Sequence, residues 1–170
     1  MYPVKAYAAA SSSSDLAPYS FERRDLLADD ILIDILYCGI CHSDIHVVHN
    51  DWGGAQYPVV PGHEIIGKVK AVGSGVTKFQ PGDTVGVGCL VDSCQDCDSC
   101  HSGYEQYCSN GNTGTYNAPD KISGGYTKGG YSDKIVVKES FVLRIPDNLD
   151  LRAAAPLLCA GITTWSPLQH

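Results

Sequence analysis

The 170-residue sequence predicts a mainly β fold with a few helices, arranged as one compact, β-barrel-like domain. Three observations support this prediction. Short segments alternate between apolar and polar residues, turns rich in glycine and proline separate them, and helical character is confined to the residues after Leu149. A chain of this length can bury a hydrophobic core as a single domain.

The predicted strands follow one another with turn signals between them. The small and polar run 8–14 indicates a loop between a first strand and the next. Segment 30–38 alternates with period two, which is typical of a strand, and one face carries Ile31, Ile33, Ile35 and Tyr37. Further strands are predicted at 65–72, 84–91, 132–137 and 141–145, with turns at Gly73-Ser74-Gly75 and Pro81-Gly82-Asp83.

The end of the chain is predicted to be helical. Asp150 can cap a helix over 151–155, because its carboxylate can accept a hydrogen bond from a free backbone N–H group. Pro156 breaks that helix, and a second helical segment is predicted over 157–169. The residues thus end at His170 inside a helix, which favours the expectation that they form the first part of a longer protein.

Charge and hydropathy exclude several classes of function. The formal net charge is −7, whereas nucleic-acid binding depends on clustered lysine and arginine, so no nucleic-acid partner is expected. No apolar run approaches the ~20 residues that span a bilayer, and the N-terminus lacks the pattern of a signal peptide. The eight cysteines are therefore assigned to a reducing compartment, and a cytoplasmic location is expected.

One short stretch, C-Q-D-C-D-S-C-H-S-G-Y-E-Q-Y-C, contains four cysteines: Cys94, Cys97, Cys100 and Cys108. Thiolates at this spacing can direct four sulfurs to one tetrahedral Zn²⁺, which then has no position left for water or substrate. A disulfide pair and an iron–sulfur cluster are the alternatives. The first needs an oxidising compartment, and the second has a shorter spacing to its fourth cysteine. The pattern favours a structural zinc site.

A more scattered set of residues could form a second metal site. Cys41 follows the strand at 30–38, His63 lies in P-G-H-E, and Cys159 lies far downstream in L-L-C-A-G. Two thiolates and one imidazole are a three-ligand zinc sphere of the open, catalytic type. Spacing alone does not bring these three together, and a buried cysteine is more often a small hydrophobe, which is the interpretation for Cys38 and Cys89.

Several motifs together resemble the zinc-dependent alcohol dehydrogenases of the medium-chain dehydrogenase/reductase superfamily. The run G-H-E-I-I-G at 62–67 is similar to the zinc signature of that group, and the four-cysteine stretch is similar to its structural zinc loop. The motifs Y-C-G-I-C-H-S-D-I-H, Y-P-V-V-P-G-H-E, V-G-V-G-C and P-L-L-C-A-G-I-T-T resemble in particular its cinnamyl-alcohol-dehydrogenase-like branch.

The resemblance implies a domain organisation. It implies a GroES-like β-barrel catalytic domain over 1–150 with a structural zinc lobe at about 89–110. Residues 151–170 would then begin the helical connection to a nucleotide-binding domain. The Rossmann domain itself is absent from this chain, which contains no G-x-G-x-x-G fingerprint.

The resemblance also implies a catalytic metal site. Cys41, His63 and Cys159 match the family's catalytic zinc ligands. Glu64 matches a carboxylate that can enter or leave the metal's coordination sphere. Asp44 matches the carboxylate that orients the metal-bound histidine, a role that fixes the tautomer and direction of the ring.

Further roles follow from the same resemblance. Ser43 and His46 match a proton relay to solvent, which a hydroxyl and an imidazole can perform near neutral pH. His42 and Thr163 match positions that contact the cofactor, and Trp52 matches an aromatic wall of the substrate pocket.

The function that the resemblance implies is a zinc-dependent oxidoreductase that interconverts primary alcohols and aldehydes with NADP(H). Two zinc ions per chain are expected, one catalytic and one structural. Because NADP(H) would be bound mainly by the missing domain, the chain is not expected to be active alone, and the full-length form is expected to be a homodimer. The alternatives are a non-catalytic, zinc-binding GroES-like module for structure or interaction, and a zinc-ribbon nucleic-acid binder, which the acidic balance disfavours.

Overall fold

The computed structural model describes residues 1–169, so the predicted helix end at His170 lies outside the described residues. Nine strands and four α-helices occur in the described residues. The strands are β1 (Tyr2–Ala9), β2 (Leu16–Arg23), β3 (Asp30–Cys38), β4 (Ile65–Val72), β5 (Thr84–Val87), β6 (Leu90–Asp92), β7 (Thr113–Gly114), β8 (Lys134–Lys138) and β9 (Leu143–Arg144). The helices are α1 (His42–His49), α2 (Asp98–His101), α3 (Leu151–Ala154) and α4 (Ala160–Gln169).

The strands form three antiparallel sheets, which confirms the prediction of a mainly β fold. The central sheet has the order β8-β3-β4-β5-β9, and β1–β2 and β6–β7 form two-stranded sheets. Every pairing among the described strands is antiparallel. The main core is built on the central sheet from branched apolar side chains that include Ile31, Ile33, Ile65, Val85 and Val137. Within residues 1–169, no helix combines the length and apolarity needed to cross a bilayer.

Sequence patterns located β3 and β4 better than the short strands, and the loop predicted at 8–14 begins inside β1, which extends to Ala9. β3 and β4 have the predicted bounds, whereas the segment predicted at 84–91 is two strands, interrupted at Gly88-Cys89. The segment predicted at 141–145 retains only the short β9. The prediction that Tyr37 shares the apolar face of Ile31, Ile33 and Ile35 is wrong. The pairing register between β3 and β4 shifts between Ile35 and Tyr37, and the Tyr37 side chain is exposed.

Helical structure is not confined to the end of the chain, contrary to the prediction. Asp150 does cap α3, accepting a hydrogen bond from the N–H group of Arg152. However, α1 forms directly after β3, where the Asp44 carboxylate accepts a hydrogen bond from the backbone N–H group of Cys41. This contact stabilises the first turn of a short helix that has no strong apolar periodicity, which is why the sequence pattern did not reveal it.

Candidate metal centres and the residues around them

The four cysteines of the short stretch converge in the structure. Their sulfur atoms all lie within 4.8 Å of one another, with Sγ–Sγ distances of 3.9 Å for Cys94–Cys100 and 3.5 Å for Cys97–Cys100. A tetrahedron with Zn–S bonds of 2.3 Å has S–S edges of about 3.8 Å. Cys100 and Cys108 are buried. We call these four residues the lobe cysteines. Their sulfur atoms are separated as expected for the ligands of one four-coordinate ion. The distances are much longer than a disulfide bond.

Backbone N–H groups prepare the lobe cysteines to be thiolates. The N–H of Asp96 lies 3.5 Å from Cys94 Sγ, and the N–H of Ser109 lies 3.5 Å from Cys97 Sγ. The hydrogen bond from Asp96 is the largest of the effects that lower the pKa of Cys94 to about 6. Because metals bind the thiolate form, this loop presents at least one ready ligand at neutral pH.

A second group of candidate ligands consists of Cys41, His63, Glu64 and Cys159, whose donor atoms also lie within 4.8 Å of one another. The Sγ atoms of Cys41 and Cys159 are 3.8 Å apart, which again matches the edge of a zinc tetrahedron. His63 Nε2 and Glu64 Oε2 are buried and have no hydrogen-bond partner among the described residues. Such groups are costly to bury unless something satisfies them, and a metal ion would do so. The residues therefore fit a metal ion.

Antiparallel pairing explains why Cys41 and His63 meet. Cys38, at the end of β3, is paired with Ile65, at the start of β4, so the residues just beyond both strands are neighbours. The N–H of Gly39 donates to the carbonyl of Glu64 at 2.9 Å and extends this contact. A side chain at Gly39 would overlap Glu64, because an added Cβ would lie 2.0 Å from Oε2.

Cys159 reaches the site through the packing of the last helical segments. Ala154, Ala155 and Leu158 pack with Ile66 of β4 in a small core cluster. An added Cβ at Gly86 of β5 would lie 2.9 Å from a Leu158 methyl carbon, so glycine permits the close approach of this segment. Cys159 follows directly and is thereby held beside Cys41.

Burial shifts the protonation equilibria of three residues in this group. Burial lowers the pKa of His63, which favours the neutral imidazole that a metal requires. Burial raises the pKa of Glu64, and the nearby Asp44 charge adds to this effect while a hydrogen bond from Ala160 opposes it. Burial and the adjacent thiols of Cys89 and Cys41 raise the pKa of Cys159 to about 12, so binding of a metal ion here would have to displace a proton from that thiol.

Asp44 contacts the site differently from the sequence-based expectation. Its carboxylate accepts hydrogen bonds from the N–H groups of Cys41 and Gly62, both at 2.9 Å, and from the Tyr131 hydroxyl at 3.3 Å. In the described part of the chain, no hydrogen bond joins Asp44 to His63. The carboxylate instead connects the backbone beside Cys41 to the backbone beside His63, so it fixes the positions of both.

Sequence reasoning missed three neighbours of this site. The Tyr116 ring stacks on the His63 ring, with centroids 5.4 Å apart and an interplanar angle of 21°. Burial raises the pKa of Tyr116 and of Tyr131, so both remain neutral donors. Cys89, interpreted from sequence as a buried hydrophobe, is exposed, and its thiol neighbours Cys159. Cys38 is half-buried against the main core. No motif marked the tyrosines, because their proximity depends on the tertiary fold.

The predicted relay and pocket residues lie on α1 and in the loop that follows it. The ring centroids of His42 and His46 are 4.9 Å apart, as expected for positions i and i+4 of a helix, and Trp52 lies 4.9 Å beyond His46. His46 Nδ1 is 2.8 Å from the Asp51 carboxylate, a contact that the sequence analysis missed. Ser43 precedes His46 by one turn, but no hydrogen bond joins their side chains among the described residues.

Thr163 is exposed on α4. Its N–H donates to the Cys159 carbonyl at 2.9 Å, so it lies one helical turn after the candidate ligand. Trp52 is also exposed, with 64% of its surface accessible. The structure therefore groups the predicted cofactor and pocket residues His42, Trp52 and Thr163 on elements that begin at or near Cys41 and Cys159, with their side chains open to solvent.

Comparisons with known proteins agree with this architecture. The family model described as the alcohol dehydrogenase GroES-like domain matches residues 27–147. The chain is 59% identical over 171 residues to an NADP-dependent alcohol dehydrogenase C of Mycolicibacterium smegmatis, covering 100% of this chain and 49% of the relative. It is also 59% identical to a probable cinnamyl alcohol dehydrogenase of Oryza sativa, covering 95% of this chain and 37% of the relative.

Solved structures give the same result. A cinnamyl alcohol dehydrogenase from Sorghum bicolor matches with a TM-score of 0.95 and 52% identity, covering 98% of this chain and 47% of that one. The CAD of Helicobacter pylori complexed with NADP(H) matches with a TM-score of 0.96 and 47% identity, covering 99% and 48%. The chain spans about half the length of most of the relatives it matches. From the family match and the shared fold, the chain belongs to the alcohol dehydrogenase GroES-like domain family.

Proposed function

We propose that this chain is the catalytic portion of a zinc-dependent oxidoreductase that interconverts primary alcohols and aldehydes with NADP(H). The proposal includes a GroES-like catalytic domain over 1–150, a zinc lobe at about 89–110 and a helical connection over 151–170. The observation that carries it is the convergence of two thiols, one imidazole and one carboxylate from three distant segments, with two buried donor atoms left without partners.

Two zinc ions per chain have different tasks in this proposal. The lobe cysteines supply four thiolates, a set that is complete and therefore structural. Cys41, His63 and Cys159 would supply three ligands and leave a position for substrate, and Glu64 would be a further carboxylate donor beside them. Zinc at the second site would act as a Lewis acid that polarises a carbonyl group or makes an alcohol more acidic.

The chain's own residues supply the proton route. Ser43 begins it, since its hydroxyl lies on α1 two residues after Cys41 and one turn before His46. His46 ends it at the surface, where the Asp51 carboxylate, 2.8 Å from Nδ1, holds the ring and favours one tautomer. Asp51 is thus a positioning residue.

The remaining predicted residues serve binding. His42 and Thr163 would contact NADP(H), and Trp52 would form part of the substrate wall. The relatives are about twice as long as this chain, so we assign most of the cofactor binding to a nucleotide-binding half and expect residues 1–170 to bind zinc without turnover. A cytoplasmic location and a homodimer of the longer form complete the proposal.

A non-catalytic GroES-like module for structure or interaction is the second candidate. It would use the lobe cysteines equally well, because a complete tetrathiolate site stabilises a fold without chemistry. This candidate does not explain the second donor group, Cys41, His63, Glu64 and Cys159. An open coordination position serves to bind a small ligand, which a structural or interaction module does not require. A zinc-ribbon nucleic-acid binder is disfavoured by the net charge of −7.

Substitutions in the proton route test the proposed activity in a form of the protein that carries a nucleotide-binding half. Ser43→Ala is expected to lower kcat by ~10²–10⁴-fold, the usual contribution of positioned proton transfer, with zinc content unchanged. His46→Gln should cost less, below about 10²-fold, because water can replace a surface group, and should flatten the rate profile between about pH 6 and 8.

His49→Gln is the matched control for the histidine substitution, since His49 is exposed on the same helix and has no place in the route. It should leave both kcat and the pH profile unchanged. Asp51→Asn should give a smaller loss than His46→Gln, because an amide oxygen can still hold the ring. Wild-type rates in both Ser43→Ala and His46→Gln across this pH range would contradict the assigned route.

A further inference from the structure

A cavity of about 380 Å³ lies apart from both metal-ligand groups. It is bounded by the end of β2, by β8, by strands β6 and β7 of the cysteine lobe, and by the loop that contains Asp120 and Lys128. None of the seven cysteine and histidine residues proposed as zinc ligands, nor Glu64, contributes to its lining. Its volume is in the range of small-molecule binding sites, and none of the functions proposed above uses it.

Basic side chains without carboxylate partners are concentrated at this cavity. Of the 12 lysine and arginine residues, six form no ion pair in the described part of the chain. Three of those six, Arg23, Lys121 and Lys128, line the cavity. The carboxylates of Glu22 and Asp120 also line it without forming an ion pair. The unpaired cations thus outnumber the unpaired anions here, although the chain as a whole is acidic.

Two of these cations lie over one aromatic ring. Arg23 Cζ is 5.0 Å and Lys128 Nζ is 5.3 Å from the centroid of the Phe21 ring. Arg23 donates from Nε to the Lys134 carbonyl and from Nη2 to the Lys128 carbonyl, but Nη1 has no acceptor among residues 1–169. Burial lowers the pKa of Arg23 to about 9, and burial together with the Arg23 charge lowers the pKa of Lys128. The negative charge of Asp120 offsets these decreases in pKa only in part. A bound anion would therefore stabilise the charged forms of Arg23 and Lys128.

The cavity lining also contains a hydroxyl group without a hydrogen-bond partner. Thr113 lines the cavity, is 3% exposed, and its Oγ1 has no hydrogen-bond partner among the described residues. A rotation of about 120° around its Cα–Cβ bond moves the hydroxyl to another staggered position, from which it can donate into the cavity. Asp92, another lining residue, already accepts a hydrogen bond from Lys138 Nζ at 2.6 Å, which neutralises its charge. Thr113 therefore adds a donor, and Asp92 adds no unpaired negative charge.

We propose that this cavity binds a small organic oxyanion, a carboxylate or a phosphate ester with an apolar body. Arg23 Nη1 and Lys128 Nζ bind the oxyanion, Lys121 contributes charge, and the apolar body packs against side chains such as Tyr126 and Ile122. Charge-assisted hydrogen bonds from arginine and lysine are the usual means by which proteins hold such groups. The inference is independent of the proposed oxidoreductase activity.

Amide chemical shifts of the zinc-loaded, 170-residue chain test this site directly. The probes are phenyl phosphate, benzoate, inorganic phosphate and phenol. Saturable shifts are expected at Arg23, Thr113 and Lys128 with phenyl phosphate or benzoate, and whichever binds more tightly identifies the oxyanion. Inorganic phosphate should bind more weakly because it lacks the apolar body, and phenol should not shift these amides because it lacks the charge.

Two variants make the test specific. Lys128→Gln is expected to weaken binding by about 10-fold or more, and Thr113→Val by about 2- to 10-fold, since each removes one hydrogen bond to the anion. Lys78→Gln is the control, because Lys78 forms no ion pair and lies outside the cavity, and should leave the affinity unchanged. Arg23 is not substituted, since its carbonyl contacts hold the fold. No saturable shift at the cavity, or equal losses in Lys78→Gln and Lys128→Gln, would overturn the proposal.

Discussion

Replacing Cys97 by serine is expected to remove one equivalent of zinc and to lower the free energy of unfolding by more than about 4 kcal/mol. Cys97 Sγ lies 3.5 Å from Cys100 Sγ and accepts the N–H of Ser109, so it is central to the lobe. Serine is a poor zinc ligand. Without the ion, the three remaining thiolates have no counter-charge, and the short α2 and the connection between β6 and β7 lose the site that holds them.

The measurement is thermal or denaturant unfolding combined with metal analysis of the folded protein. Cys89→Ser is the matched control, because Cys89 directly precedes β6 but is exposed and belongs to neither ligand group. It should keep the lobe ion and most of the stability. A folded Cys97→Ser variant that retains its full zinc content and wild-type Tm would contradict a structural role for the lobe cysteines.

Replacing Cys159 by serine should remove the other zinc equivalent while changing stability much less. Cys159 is half-buried, and α4, which follows it, buries none of its described side chains in this chain. Its loss therefore removes a ligand without opening the core. In a form with a nucleotide-binding half, the same change should abolish measurable alcohol oxidation, because it leaves Cys41, His63 and the exchangeable Glu64 carboxylate, too few firm ligands to hold the ion in an open geometry.

Zinc content and Tm measured together separate the two sites. The expected pattern is a loss of one equivalent in each variant, with a large fall in Tm for Cys97→Ser and a small one for Cys159→Ser. Equal falls in Tm would mean that both ions are structural, which would favour the non-catalytic GroES-like module. Retention of both equivalents in Cys159→Ser would remove Cys159 from the ligand set.

Local patterns in the sequence identified some features and could not identify others. The lobe cysteines are close in sequence, so their spacing alone indicated one metal ion. Cys41 and Cys159 are far apart, and only the resemblance to a family placed them together. β3 and β4 were predicted with the observed bounds because alternation and turn residues agree there.

Features that depend on a few specific contacts were missed. The Asp44 carboxylate stabilises the first turn of α1 and also accepts a hydrogen bond from the N–H of Gly62. The apolar periodicity of the sequence indicates neither of these two contacts. The pairing of His46 with Asp51 follows from a turn at Asn50, where φ is 60°. Tyr116, two residues after β7, stacks on the His63 ring. The contacts of Asp44 with Gly62 and of Tyr116 with His63 depend on tertiary structure, whereas the first turn of α1 and the His46–Asp51 pair depend on specific local hydrogen bonds, and apolar periodicity indicates neither kind.

Cobalt substitution of the 170-residue chain tests most directly the central claim that one site is closed and the other open. We expect two equivalents of Co²⁺ with distinct visible spectra, one typical of four thiolates and one of mixed sulfur and nitrogen ligands. Added pyrazole should change only the second spectrum, and Cys159→Ser should abolish that spectrum alone. A single, uniform tetrathiolate spectrum that does not respond to pyrazole would contradict the account.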